Sequence, residues 1–194
     1  KQTFGLSDSE EWGLEEQRKR VMADDAWRQR ITQMLYHPFD VRWIFYHEAV
    51  VDRPRKEVMH HMMHDNLALN TMRQTKMPEW RHAVVSNRMA PAVYVEIKDG
   101  SNLFPLYLYP DADKKDLLTQ LSKPAEKKPN LSFALLRALK EAYKKQPSPE
   151  DIFNYIYAIL YAPTYRTRYA EFLKTDFPRV PFTKNQELFK TLAA

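Results

Sequence analysis

The residues with the clearest chemical potential are polar side chains near the ends of candidate strands in the middle of the chain. They are Asn70, Arg73, Gln74, Lys76, Arg81, His82, Ser86, Asn87, Arg88 and Lys98. Arginine and lysine can pair with guanine O6 and N7, and asparagine or glutamine with adenine N6 and N7, in a DNA major groove. Taken alone, such residues are more often ordinary polar side chains of surface loops.

A second cluster is cationic and lies at the start of a predicted helix. It consists of Arg53, Arg55 and Lys56. The sequence predicts a helix from about Pro54 to His64, with Asp52 or Arg53 at its cap. Free N–H groups at a helix start favour an anion, so the cluster suits contact with a DNA phosphate. Ion pairs with Asp52 and Glu57 explain these residues equally well.

Three histidines on the same predicted helix are the only metal-like feature. His60 and His64 are four residues apart, a workable spacing for two ligands, and Asp65 or His47 would have to supply a third. We favour solvated or capping histidines near a helix C-terminus, where the dipole favours a cation. The sequence therefore predicts no metal site, and we interpret the acidic pairs at 15–16 and 24–25 as surface residues.

The composition allows a nucleic-acid partner without requiring one. The 194 residues carry 30 basic and 25 acidic side chains, a net charge of +5, and 44% are hydrophobic, enough for a core. No apolar run approaches the roughly 18 residues that a membrane span needs. The absence of cysteine excludes disulfides and thiol catalysis and fits a cytoplasmic protein. The chain starts without Met, which indicates a fragment of a longer protein.

Hydrophobic periodicity predicts an α+β fold, with a central, mostly antiparallel β-rich region flanked by N-terminal and C-terminal helices. Strands are predicted at 41–46, 67–74, 82–86, 92–97 and 103–109, with a turn at Asp99-Gly100 between the last two. Helices are predicted at 7–36 (one or two), 131–145, 148–161, 165–173 and 185–193. The polar, Lys-rich segment 111–130 is predicted to be a surface excursion. We expect residues 1–35 to be a helical connector and 36–194 to be the functional domain.

The most strongly patterned segment is 148–181. Ser148 can accept a hydrogen bond from the backbone of Asp151, and Pro149 suits the first helical position. Pro163 is predicted to end this helix. Pro178 and Pro181 then predict an extended tail, for which Phe177, Val180 and Phe182 would be apolar anchors.

Three segments resemble one protein family, in the same order. They are YHPFDVRWIFYHEAVVDRPRKEVMHHM (36–62), FPLYLYPD (104–111) and YIYAILYAPTYRTRYAEFLKTDFPRVPF (155–182). They resemble the C-terminal specificity domain of type ISP restriction–modification enzymes. In that family one polypeptide carries a nuclease, a helicase-like ATPase, an adenine-N6 methyltransferase and a target recognition domain. The resemblance covers most of the chain from about residue 30 onward.

The catalytic motifs of such an enzyme are absent from this sequence. With glycines only at positions 5, 13 and 100, there is no Gly-rich loop for a methyl-donor cofactor. There is no Asn-Pro-Pro-aromatic loop for a flipped base and no GxxxxGK[ST] for ATP phosphates. We therefore expect no enzyme activity and no cofactor in this fragment. The resemblance implies S-adenosylmethionine, ATP and Mg²⁺ for the parent enzyme.

The resemblance changes how the polar residues are interpreted. It favours a base-reading role for the central residues 70–98 on double-stranded DNA, beside a methyltransferase domain of the same polypeptide. Tyr165, Arg166 and Arg168 lie in a motif shared across the family, which favours a structural or phosphate-contacting role. The alternative is an interaction scaffold that couples neighbouring domains and contacts DNA only nonspecifically, since the chain is rich in aromatic residues.

Overall fold

The computed structural model describes residues 8–9, 12–96, 100–110 and 127–194, and the fold within them is α+β, as predicted. The helices are α1 (Leu14–Met22), α2 (Lys56–Met59), α3 (Phe133–Tyr143), α4 (Pro149–Tyr161), α5 (Pro163–Arg168), α6 (Ala170–Leu173) and α7 (Gln186–Ala193). The strands are β1 (Ile31–His37), β2 (Asp40–Phe45), β3 (Ala68–Thr71), β4 (Ala83–Ser86), β5 (Asn102–Pro105), β6 (Tyr107–Leu108) and β7 (Lys128–Pro129). Short 3-10 helices span Trp27–Arg30 and His60–Met63.

The sheets are small, and their strand pairs are antiparallel, as predicted. Three strands pair in the order β4-β3-β5, with Ala68 opposite Ser86 and Thr71 opposite Ala83. Strands β1 and β2 form a separate hairpin, and β6 pairs with β7. An isolated parallel bridge joins Met34 of β1 to Met89, so the segment after β4 lies along the free edge of the hairpin.

Helix α4 begins as the sequence predicts. Ser148 accepts from the Asp151 N–H at 3.0 Å, and the Asp151 carboxylate accepts from the Ser148 N–H at 3.2 Å, a complete capping box. The extended tail is tied down by the buried Tyr155 of α4, whose hydroxyl donates to Pro181 O and accepts from the Thr183 N–H. These bonds hold the tail on a core shared with α3 and α7.

Helix α4 also carries the contact between the helical half and the sheet. Leu160, in the last turn of α4, packs in one buried cluster with Trp80 and with Ala83 of β4. Tyr165 of α5 and Leu173 of α6 complete this cluster. A further cluster under the hairpin joins the start of β3 to the segment after β4. The hairpin and the C-terminal helices are therefore fixed to the same three-stranded sheet.

The helical prediction for residues 7–36 is wrong over its last part. Residues 31–37 form β1, which pairs with β2 through Ile31 opposite Phe45 and Gln33 opposite Trp43. A strand at an edge gains its stability from a partner elsewhere in the chain, so tertiary pairing overrides the local helical spacing. The strand runs across the boundary expected at residues 35 and 36.

Three further predictions need correction or lie outside the described residues. Residues 92–96 form a turn, because Ala92 O accepts from the N–H and hydroxyl of Ser101 while the buried Tyr94 packs with Leu35 and Ala90. The helix predicted at 165–173 is broken at Tyr169, which separates α5 from α6. Most of the predicted excursion, residues 111–126, lies outside the described residues. Across the described residues, no helix is long and apolar enough to cross a membrane.

Candidate nucleic-acid interface

The residues predicted to read bases are divided by the sheet into two exposed groups and one buried group. Strands β3 and β4 are antiparallel, so the β3–β4 loop (72–82) leaves one end of the sheet and residues 87–88 leave the other. Four strand residues separate these ends by about 10 Å of backbone. The two groups therefore lie at opposite ends of the sheet.

Asn87 and Arg88 join a residue that the sequence analysis did not select. Arg88 donates through Nε to the Gln33 side-chain oxygen at 3.1 Å and through Nη1 to the Asn87 oxygen at 2.8 Å. Gln33 lies in the middle of β1, directly opposite the exposed Trp43. The result is a surface cluster of Gln33, Asn87 and Arg88, which we call the Gln33–Arg88 cluster. Its amide and guanidinium groups are the types that pair with adenine and guanine edges.

The β3–β4 loop carries Arg73, Gln74, Lys76 and Arg81, and all four side chains are exposed. The loop is fixed to the C-terminal tail, because the Thr75 N–H donates to Lys174 O and Arg73 pairs with Asp176 at 3.5 Å. Arg81 pairs with Glu79 at 2.5 Å. Exposed ion pairs of this kind are weak, so both arginines can be released to a polyanion at little cost.

Three of the predicted base-reading residues are buried in this structure, which argues against that role. Asn70, 1% exposed, donates from Nδ2 to the Ser86 hydroxyl at 2.8 Å across β3 and β4, and Ser86 is buried with it. His82 is buried beside Trp80, with ring centroids 6.2 Å apart. Polar types that suit base edges also suit a satisfied polar pair inside a sheet. Lys98 lies outside the described residues.

The cationic cluster at 53–56 is presented by a turn and not by the start of a long helix. Arg53 and Arg55 both adopt φ of +47°, a left-handed conformation that is rare for side chains of this size. The buried Tyr46 hydroxyl donates to Pro54 O between them, and burial raises the pKa of Tyr46 to about 12. Helix α2 starts only at Lys56 and has four residues, so the helix-dipole argument for a phosphate does not hold here.

Lys56 forms an ion pair within the domain. Its ammonium lies 2.6 Å from Glu48, which also accepts from Arg20 at 2.9 Å. The hydrogen bond from Lys56 lowers the pKa of Glu48, with smaller effects from Arg20. Arg55, by contrast, is exposed and has no partner within the described residues. Arg55 is thus the better placed of these cations for a phosphate.

The C-terminal candidates divide into framework and surface. Tyr165 is buried and donates to Arg179 O at 2.9 Å, which is a structural contact. Arg166 donates through Nε to Leu160 O at 2.7 Å, and its guanidinium lies between the rings of Trp80 (5.6 Å) and Tyr161 (4.6 Å). Arg166 lines a pocket of about 410 Å³ together with Trp80 and Arg81. Tyr165 lines a separate pocket beside Arg179. Arg168 is exposed.

Two of the three histidines bind the backbone through their rings, and the third stacks on an aromatic ring. His60 Nδ1 lies 2.7 Å from Lys56 O and its Nε2 lies 3.2 Å from Tyr109 O, while Tyr109 N donates to His61 Nδ1 at 2.9 Å. His64 stacks on the Tyr109 ring. Among the residues that the structure describes, no group of three or more His, Asp or Glu side chains is arranged to hold a metal ion. The histidines dock the helical segment on the strand that follows β5.

Sequence reasoning did not select Gln33 and Trp43, which lie opposite each other on the β1–β2 hairpin beside Arg88. The available signal was an alternation of residues on both sides of His37-Pro38-Phe39-Asp40, which is typical of two strands joined by a turn. A helical interpretation of residues 31–36 concealed it.

Comparison with solved structures shows the same fold in parts of larger proteins solved with DNA. The chain is similar to part of the ATP-dependent type ISP restriction-modification enzyme LlaBIII bound to DNA, with a TM-score of 0.67 and 22% identity, over 97% of this chain and 12% of that one. The DrdV–DNA complex matches with a TM-score of 0.65 and 22% identity, over 86% of this chain and 15% of that one. A nuclease-deletion mutant of the type ISP enzyme LlaGI, in complex with a DNA substrate mimic, matches with a TM-score of 0.56 and 19% identity. The match covers 84% of this chain and 11% of that one.

The chain thus spans less than a sixth of the length of each of these proteins. No curated protein sequence matches it. The sequence model of the family described as the type ISP C-terminal specificity domain matches residues 1–194, the whole chain, including the segment that we expected to be a connector. The chain belongs to the family of type ISP C-terminal specificity domains.

Proposed function

We propose that this domain recognises a short duplex DNA site and positions an adenine-N6 methyltransferase, carried on the same longer polypeptide, over one adenine of that site. The observation that carries the proposal is the Gln33–Arg88 cluster, in which an amide and a guanidinium share one hydrogen bond at the surface. The solved relatives, which are DNA complexes by their descriptions, support DNA as the partner.

Contacts in this proposal divide into those that read bases and those that set the register on the duplex. Gln33, Asn87 and Arg88 read base edges in the major groove. Arg55 and the arginines of the β3–β4 loop contact phosphates, since their exposed guanidinium groups are unpaired or only weakly paired. S-adenosylmethionine, ATP and Mg²⁺ belong to other domains of the parent enzyme in this proposal.

Selection from a randomised duplex pool tests this function. The 194-residue chain is incubated with the pool at low and near-physiological salt, and bound duplexes are sequenced. We expect one short motif to be enriched and to survive the higher salt, because base contacts lose less affinity to salt than phosphate contacts do. Binding without any motif at both salt concentrations would favour the interaction scaffold instead.

A further inference from the structure

The β1–β2 hairpin presents large apolar side chains to solvent. On its inner side Met34 and Ile44 pack on the cluster under the hairpin, and Leu35 N donates to Met89 O at 2.9 Å. Five large apolar residues of the hairpin are exposed: Ile31, Tyr36, Phe39, Val41 and Trp43. The hairpin is thus anchored to the rest of the domain while much of its apolar surface is uncovered.

Phe39, at the tip of the hairpin, is the extreme case. It is 99% exposed, and its φ of +67° is one that a bulky aromatic residue rarely adopts. Exposure of the ring and a left-handed backbone are both unfavourable in the isolated domain. A residue that combines them points to a role in binding, since neither feature contributes to folding.

The charge of the surrounding segment favours a polyanionic partner over an apolar protein face. Residues 27–45 contain three arginines and one aspartate, a net charge of +2, and no lysine or glutamate. Arg42 pairs with Asp40 at 2.8 Å and Arg30 with Asp24 at 3.0 Å, while Arg28 has no carboxylate partner among the described residues. The Arg28 guanidinium lies 4.4 Å from the Trp27 ring and that of Arg42 lies 4.2 Å from the Tyr36 ring. An apolar partner would strip water from these charges, whereas a duplex supplies phosphates to the same side chains. Planar guanidinium and aromatic groups also stack well on nucleobases.

We propose that Phe39 is a stacking wedge that inserts its ring at one base step of the bound duplex. The inference rests on the proposed function and adds a contact that reads the deformability of DNA and not the edges of its bases. Gln33 and His37, at the end of β1, are four positions apart, which is about 13 Å of strand. A hairpin lying along the groove therefore brings the wedge about four base pairs from the base that Arg88 contacts.

Fluorescence of 2-aminopurine, which rises when the base is unstacked, tests the wedge. The full chain is titrated into short duplexes of the pool-enriched sequence that carry 2-aminopurine at successive positions. We expect the wild-type chain to raise the signal at one step. Phe39→Ala should abolish that rise and weaken binding about tenfold, as expected for the loss of one base–aromatic stack. Phe39→Trp should retain both, because it keeps a planar ring.

A matched control is available in helix α3. Phe133, the first residue of α3, is 80% exposed, so Phe133→Ala removes the same ring from a surface outside the proposed interface. It should behave as the wild type. Circular dichroism verifies that Phe39→Ala, Phe39→Trp and Phe133→Ala are folded.

Each outcome decides the inference. If the wild-type chain binds duplex and Phe39→Ala gives the same fluorescence and affinity, the wedge is wrong while the proposed function stands. If Phe39→Trp loses the signal as Phe39→Ala does, the stacking ring is not the responsible group and the wedge is also wrong. If the wild-type chain binds no duplex, the proposed function and the wedge fail together.

Discussion

Arg88 and Gln33, which are 55 positions apart in the sequence, meet at the surface with 3.1 Å between Nε and the side-chain oxygen. Gln33 directly precedes Met34 and Arg88 directly precedes Met89, and these two methionines form a parallel backbone bridge. The bridge therefore brings Gln33 and Arg88 side by side. A guanidinium held by an amide has fewer conformations to lose on binding, which favours specificity. In the proposed function, this pair distinguishes one base pair from another.

Arg88→Ala is expected to reduce discrimination between the enriched site and random duplex by about 1–3 kcal/mol, because in the proposed function the Arg88 guanidinium donates to a base edge. Competition binding with labelled duplexes measures this difference. Arg137→Ala is the control, since Arg137 is an exposed arginine of α3 whose partner is Glu141. An equal loss of affinity for every sequence would instead identify Arg88 as a phosphate contact.

Arg166 and Arg168 are expected to separate into a framework residue and a surface residue. Arg166→Ala removes the bond to Leu160 O and the contacts with Trp80 and Tyr161, and should lower the free energy of unfolding by about 2 kcal/mol. Arg168→Ala should leave it unchanged within about 0.5 kcal/mol. Urea denaturation measures both. A stable Arg166→Ala variant with a lower salt dependence of DNA binding would contradict the framework role and support a phosphate contact.

Tyr155 is expected to be essential for holding the C-terminal tail. Its hydroxyl donates to Pro181 O at 2.9 Å and accepts from Thr183 N at 3.1 Å, so Tyr155→Phe leaves two backbone groups without their partner. We expect a loss of about 1–2 kcal/mol in denaturant unfolding. Tyr157→Phe, on the same helix, is the control because its hydroxyl makes no hydrogen bond within the described residues. Equal effects of the two variants would show that the tail is held by packing alone.

Tyr46 is expected to make stability depend on alkaline pH. Its pKa in the folded chain is about 12, above the ordinary 10.0, because the folded environment disfavours the phenolate. The unfolded chain therefore ionises first, and this contribution is complete below pH 10 and is lost as the pH rises toward 12. Tyr46→Phe, which also loses the bond to Pro54 O, should be less stable than the wild type at about pH 8 by about 1 kcal/mol.

The difference between wild type and Tyr46→Phe should shrink in urea unfolding at about pH 11, since only the wild type loses the Tyr46 contribution there. A difference that stays constant between the two pH values would contradict the raised pKa as its cause. The same variant is expected to loosen the turn that carries Arg53 and Arg55, which follows Tyr46 in the structure.

Local sequence signals were sufficient where the structure depends on local interactions. Ser148, Pro149 and Asp151 define the start of α4 through bonds within one turn, and the structure confirms them. The alternation at 41–46 and the apolar runs near 68 and 83 likewise identified β2, β3 and β4. These elements also carry two of the three segments whose resemblance indicated the family that the chain belongs to.

Only the tertiary structure decided which side chains share a surface. Asn70 and Arg73 are only three positions apart. Asn70 is buried and donates to Ser86 on the neighbouring strand, whereas Arg73 lies in the exposed loop after β3. Burial depends on the tertiary neighbours of each side chain, which the local sequence does not specify. Residues 31–37 became a strand because β2 and the segment at Met89 offered them hydrogen-bond partners on both edges. Local sequence patterns thus predicted many of the elements, and the resemblance of three segments indicated the family of this domain. The long-range pairing of backbones determined that Gln33 and Arg88 lie together and that Phe39 lies alone at the hairpin tip.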